Sequence, residues 1–176
     1  MLLRKINAGI SLLTTAFLLF HAGSIAVWML SRGSVGRVLT PFSWVLVGLA
    51  LIHAFVSIDA VVSGLMSGDG HKHKAYPKMN RSTVVQRASG VLMLLFAALH
   101  IAGAMGFMHP PKIVHGIVPP LFFILVMAHT AVSASKALIT LGIGDAKLIR
   151  RADVVIKVIC GITLIADIVG FYLYVW

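Results

Sequence analysis

Residues 39–66 read LTPFSWVLVGLALIHAFVSIDAVVSGLM. A helix needs roughly 20 apolar residues to cross about 30 Å of hydrocarbon, and this run exceeds that. It reads as a membrane-spanning helix, with Pro41 in the first turn, where a missing N–H does no harm. Near its middle stands His53. An imidazole in lipid costs free energy unless something uses its nitrogens, so an intramembrane histidine is a functional-site candidate by default. Three other apolar runs each carry one as well: His21, His100 and His129.

The rest of the composition agrees. The chain has 176 residues, 59% of them hydrophobic, and a mean hydropathy of +0.99. A soluble domain of this length cannot hide so much apolar surface, so the expected class is an all-α integral membrane protein. Five transmembrane helices are expected, at about 6–30, 39–66, 84–108, 113–141 and 152–175, forming a single domain over 1–176, with the first four as a bundle. Pro110 and Pro111 break the chain between the third and fourth helices, and Pro119 and Pro120 are expected to kink the fourth. The first run is too long for a cleavable signal peptide and lacks a small-residue cleavage site. No connection is long enough to fold separately.

Fifteen Lys and Arg stand against five Asp and no Glu, a formal net charge of +10. In a soluble protein that balance suggests nucleic acid. Here the cations cluster in loops, which fits lipid headgroups and topology control, and nucleic acid is not an expected partner. With the N-terminus inside, the inner ends hold Arg4, Lys5, Lys72, Lys74, Lys78, Arg81, Arg87, Lys136, Lys147, Arg150, Arg151 and Lys157, and the outer ends Arg32, Arg37 and Lys112. Twelve against three is a strong positive-inside signal. The C-terminus, with Tyr172, Tyr174 and Trp176, then lies outside in an aromatic belt. The only cysteine, Cys160, is inside the last run, which excludes a disulfide, covalent Cys-x-x-Cys-His haem and an iron–sulfur thiolate set. A metal centre here has to use histidine.

Orientation converts positions into depths. Helices 1 and 3 run outward, with His21 15 residues past Ile6 and His100 16 past Val84. At 1.5 Å per residue both lie roughly 22–24 Å from the inner ends. Helices 2 and 4 run inward, with His53 14 residues past Leu39 and His129 16 past Ile113, nearer the inner half. The four sort into an outer pair, His21 with His100, and an inner pair, His53 with His129. One iron between each pair makes two bis-imidazole haems stacked across the bilayer.

Small residues adjoin these positions, as a flat, wide cofactor requires: Ala22 and Gly23; Ala54; Ala97, Ala98, Ala102 and Gly103; Ala128. Helices 2 and 4 echo each other, His53-Ala-Phe-Val-Ser57 against His129-Thr-Ala-Val-Ser133. A lone membrane histidine is more often a helix–helix hydrogen-bonding group, and small residues are ordinary packing glue. Four of them, one per helix and matched in depth by pairs, favour ligation. Four ligands at two depths cannot close one zinc tetrahedron.

On this topology and these histidines the chain resembles the membrane-anchor cytochrome b of succinate dehydrogenases and fumarate reductases, in its single-chain, five-helix form with two haems b. That family pairs the histidines of its first four helices first with third and second with fourth. Gln86-Arg-Ala-Ser-Gly90, ten residues before His100, is similar to the family's Arg-x-Ser/Thr-Gly entry to a ligand helix. The resemblance spans nearly the whole chain. It implies a distal haem on His21 and His100, and a proximal haem on His53 and His129 beside an iron–sulfur subunit. It further implies flavoprotein and iron–sulfur partners on the cytoplasmic face, a prokaryotic inner membrane, and menaquinone or ubiquinone as substrate, the substrate chemistry belonging to partner chains. Some members use an outer glutamate where quinol protons are handled. This chain has none.

Other residues have two readings each. Asp167, at the depth of the outer pair, is either a proton-handling group near a quinone or a hydrogen-bonded structural carboxyl. Ser24, Trp28 and Ser43 are candidates to line an outer quinone pocket, with the aromatic belt as the plainer role of Trp28. Asp59, Ser57 and Arg87 are the inner quinone candidates, with a solvated interfacial residue as the plainer reading of Asp59. Arg87 and Lys136 are placed to pair haem propionates through charge-assisted bonds, or simply to anchor the inner ends. His71 and His73 belong to the basic loop, and His109 and His115 flank the outer proline turn; none of these four is expected to ligate. The alternatives to the main reading are an anchor of formate dehydrogenase or hydrogenase type, or a stand-alone transmembrane electron carrier. In those families two histidines often share a helix, and here no helix core has two. A non-redox carrier using histidines as relays is the remaining class.

Overall fold

The computed structural model describes residues 2–33, 40–66, 81–107 and 112–175. Among them are five α-helices and no strand: α1 (Leu2–Leu30), α2 (Thr40–Met66), α3 (Arg81–Ala104), α4 (Lys112–Leu141) and α5 (Ala146–Val175). Each contains a stretch long and apolar enough to cross a membrane. In hydrocarbon every backbone N–H and C=O must be satisfied within the segment, and uninterrupted helices do this. Arg37, Lys72, Lys74, Lys78, His71, His73, His109, Pro110, Pro111 and Trp176, with residues 67–80 of the long connection, lie outside the described residues, as do the side chains of Pro41 and His115.

The helices overrun the apolar runs. α1 begins at Leu2, α3 at Arg81 and α5 at Ala146, each ahead of the expected start. Hydropathy reports where lipid begins, whereas the hydrogen-bond ladder continues into the charged turns. For α5 the reason is local: Asp145 accepts from the Leu148 N–H at 2.7 Å, capping the helix a turn and a half before the expected start. α3 stops at Ala104, short of the expected 108. The Phe107 N–H reaches back to the Ala102 carbonyl at 2.9 Å, with Gly106 at φ 76°. This is the Schellman ending, which needs a left-handed residue at that position. α4 runs unbroken through Pro119 and Pro120.

α1, α4 and α5 pack on one another, each touching the other two. The core formed by Val126, Met127 and Cys160 is flanked by Leu18, Leu19, Ala22, Ile156 and Leu164. Buried residues along these helices are mostly small, among them Ala8, Ser11, Ala26, Ser133, Ala134 and Ala137. Small side chains let membrane helices approach closely. A Cβ added at Gly170 would stand 3.1 Å from the Met29 Cβ and 3.4 Å from the Ala26 carbonyl oxygen. As far as the described residues go, α2 touches only α1 and α3 touches only α4. Among the described residues α1 and α3 do not touch, nor do α2 and α4, nor α2 and α3.

Candidate functional site

Polar contacts fix how the helices are staggered. Between α1 and α2, Asn7 Nδ2 donates to Ser57 Oγ at 3.1 Å and Ser57 Oγ donates to Asn7 Oδ1 at 3.2 Å. At the other end of the same pair His21 Nδ1 meets Ser43 Oγ at 3.3 Å. His53 precedes Ser57 by one helical turn, so it stands level with Ser11. His21 is ten residues farther along, about 15 Å at the helical rise. Between α3 and α4, Ser89 Oγ lies 3.1 Å from His129 Nδ1, and the His100 ring lies 5.3 Å from that of Phe122. His100 is eleven residues beyond Ser89, again on the order of 15 Å along the axis.

These offsets leave two separate levels with two histidines at each. His21 lies within electrostatic reach of His100, and His53 of His129. In both cases the members of a pair come from helices whose backbones do not touch. A planar group ligated on both faces has that requirement, because it has to fit between its ligand helices.

His129 is the most fully held of the four. Its Nδ1 lies 3.0 Å from the Gln86 carbonyl oxygen. A carbonyl can only accept, so Nδ1 carries the hydrogen and Nε2 is left with its lone pair, the state a metal-ligating imidazole needs. The Ser89 hydroxyl donates to the Val85 carbonyl at 2.6 Å, which leaves its oxygen free to share the Nδ1 hydrogen. Next to it Gly90 makes room: a Cβ there would stand 3.2 Å from Cε1 and 3.5 Å from Nδ1 of His129. The Gln86–Gly90 motif was expected to introduce the helix of His100. Its residues 86, 89 and 90 share one helical face, and that face cradles the histidine of the neighbouring helix. The i, i+3, i+4 spacing was visible in the sequence, but its partner was not.

Beside this cradle Lys136 Nζ donates to Gln86 Oε1 at 2.9 Å, and Arg87 and Lys136 lie within reach of each other's charge. Lys136 stands two turns from His129 and within electrostatic reach of it. Two cations thus gather at the His53–His129 level, where the acidic side chains of a ligand would be neutralised. His53 Nδ1 is buried without a hydrogen-bond partner among the described residues.

The outer quinone candidates are not gathered together. Asp167 is 1% exposed, with neither carboxyl oxygen partnered among the described residues. It lies one turn before Gly170, which packs on Ala26. Ser24, two positions from Ala26, projects from the opposite side of α1 and donates to the Phe20 carbonyl at 2.7 Å. Trp28 lies against Tyr174 with ring centroids 4.5 Å apart and planes tilted by 48°, and a Cβ added at Gly33 would stand 3.6 Å from its Nε1, as suits a belt residue at a helix end. Ser43 is engaged with His21, and Ser57 with Asn7.

Comparison of the chain with family models, curated proteins and solved structures gives no match.

Proposed function

We propose that the chain is a membrane-anchoring dihaem cytochrome b, carrying electrons between a cytoplasmic flavoprotein and iron–sulfur module of succinate dehydrogenase or fumarate reductase type and membrane quinone. The observation that carries this reading is the pair of histidine levels. Each level has two imidazoles from helices that do not touch, and at one of them a backbone carbonyl leaves Nε2 available. His21 and His100 would hold one haem b, and His53 and His129 the other, with Arg87 and Lys136 beside the propionates of the second. Haem bound in this way supplies one-electron chemistry. The protein's part is to fix its ligands, neutralise its carboxylates and surround it with apolar helices.

On the positive-inside count, the His53–His129 level is the cytoplasmic one, beside the docking face for the partner subunits, and the C-terminus is external. The basic inner ends suit such a partner as well as anionic lipid. Two redox centres at different depths favour a quinone at the outer end, since an inner quinone would be reduced by the iron–sulfur protein directly.

The purified chain tests the reading. A reduced-minus-oxidised spectrum should show the haem b α-band, with two haems per chain. His21→Ala or His100→Ala should remove one haem and leave the other's spectrum largely intact, and His53→Ala or His129→Ala should do the same for the other. A His21→Ala, His53→Ala double variant that retains a full haem would mean the pairing is wrong.

A further inference from the structure

We propose that the two peripheral helices cross-brace the histidine pairs: each carries a histidine of one pair and positions a histidine of the other. α2 bears His53 of the inner pair, and its Ser43 meets Nδ1 of His21 in the outer pair. α3 bears His100 of the outer pair, and its Gln86, Ser89 and Gly90 cradle His129 of the inner pair. The inference rests on the dihaem reading and assigns second-sphere roles within it.

The packing explains why these contacts matter. α2 has no buried side chain among residues 42–59, and among its described side chains α3 has only Ser89. Each touches a single neighbour, and in lipid there is no hydrophobic force to press it there. Its height and rotation therefore depend on polar contacts. For α2 these include Asn7–Ser57 and His21–Ser43; for α3 they include Gln86–Lys136 and the two contacts to His129. A brace that orients an imidazole on the inner neighbour also sets the level of the peripheral helix's own histidine, ten residues from Ser43 and eleven from Ser89. The two pairs are thereby mechanically linked, although they lie about 15 Å apart along the helices.

An acceptor on Nδ1–H makes the imidazole a more basic ligand and favours the oxidised metal. Losing it should move the midpoint potential of that haem upward and leave the other in place. The test is a redox titration of the full chain in detergent. His53→Ala and His100→Ala identify the two components, because each removes one. Ser89→Ala removes one of the two acceptors on His129 Nδ1–H and leaves the Gln86 carbonyl, so it should raise the component that His53→Ala removes by a smaller step than full loss of the acceptor would, although Ser89 is on the helix of His100. Ser43→Ala should raise the component that His100→Ala removes, although Ser43 is on the helix of His53. Ser89→Thr and Ser43→Thr keep the hydroxyl and should restore the wild-type values. Gly90→Ala, which crowds Cε1, should move the same component as Ser89→Ala and lower haem retention there by about tenfold.

If the serine variants move the component ligated by their own helix, or move neither, the cross-brace is overturned while the dihaem reading stands. A wild-type chain with no haem α-band overturns both. The serine substitutions remove one oxygen each, so the test remains decisive if Gly90→Ala fails to fold.

Discussion

Arg32 shows how much a single residue can carry. It takes the left-handed conformation at the end of α1, φ 52°, while Gly33 N–H reaches the Trp28 carbonyl at 2.9 Å. α3 and α4 end in the same way with Gly106 and Gly142 at that position. A side chain there costs about 1 kcal/mol or slightly more. Arg32→Gly should therefore stabilise the protein by about 1 kcal/mol in a reversible unfolding titration in detergent; an unchanged or lower midpoint would show that the arginine contributes more than the strain it bears. Asp167 allows a sharper choice. It is enclosed where α5 packs on α1, away from Ser24, so a quinone cannot touch it while that packing holds. If it handles the quinone's protons, Asp167→Asn should lose quinone-linked turnover and keep both haems. Normal turnover in Asp167→Asn with loss in Asp59→Asn would move the quinone to the inner face. The four histidines could be read from the sequence because each stands well inside an apolar run. Ser89 and Gly90 could be noticed as a motif, but their role depends on an α4 residue forty positions away, and helical periodicity does not encode that.

At the scale of helices, the reciprocal Asn7–Ser57 contact ties the Ser57 end of α2 to α1. Hydrogen bonds between membrane helices average about 0.6 kcal/mol and reach roughly 1.7. Asn7→Ala should lower stability by an amount in that range, and on the dihaem proposal the haem assigned to His53 should be lost before the other on heating. Simultaneous loss of both haems would show that α2 is held elsewhere. The number and order of the helices were legible because lipid demands a long apolar run for each crossing. Their ends were less so. The early start of α5 comes from one carboxylate capping Leu148, and charged turns are compatible with a helix although they mark the edge of the bilayer. Pro119 and Pro120 show the reverse case, a local breaker that α4 absorbs without ending.

For the whole molecule, the twelve-to-three distribution of cations makes a topological prediction. A reporter that is active only outside the cytoplasm should be active when fused after Trp176 and silent when inserted in the 67–83 connection. The opposite pattern would exchange the inner and outer pairs without altering their membership. Depth counting from sequence rests on all five helices crossing the same slab. It cannot say which helices touch. That α1 and α4 meet α5 while α2 and α3 stand outside is set by small residues such as Ala26, Ala134 and Gly170, whose partners appear only in the packed chain.

The packing of α5 also determines where the chain will tolerate change. This helix has no histidine, yet Cys160, Asp167, Gly170 and Phe171 are all buried in it. α2 carries a proposed ligand and has no fully buried side chain among residues 42–59. In a deep mutational scan, the rows for α2 should be nearly blank apart from Ser43, His53 and Ser57. The heaviest intolerance to size should fall along α5, with Gly170 foremost. A profile of that shape would misdirect anyone seeking the proposed ligands by mutational sensitivity alone, because the most sensitive helix would be one that carries none of them.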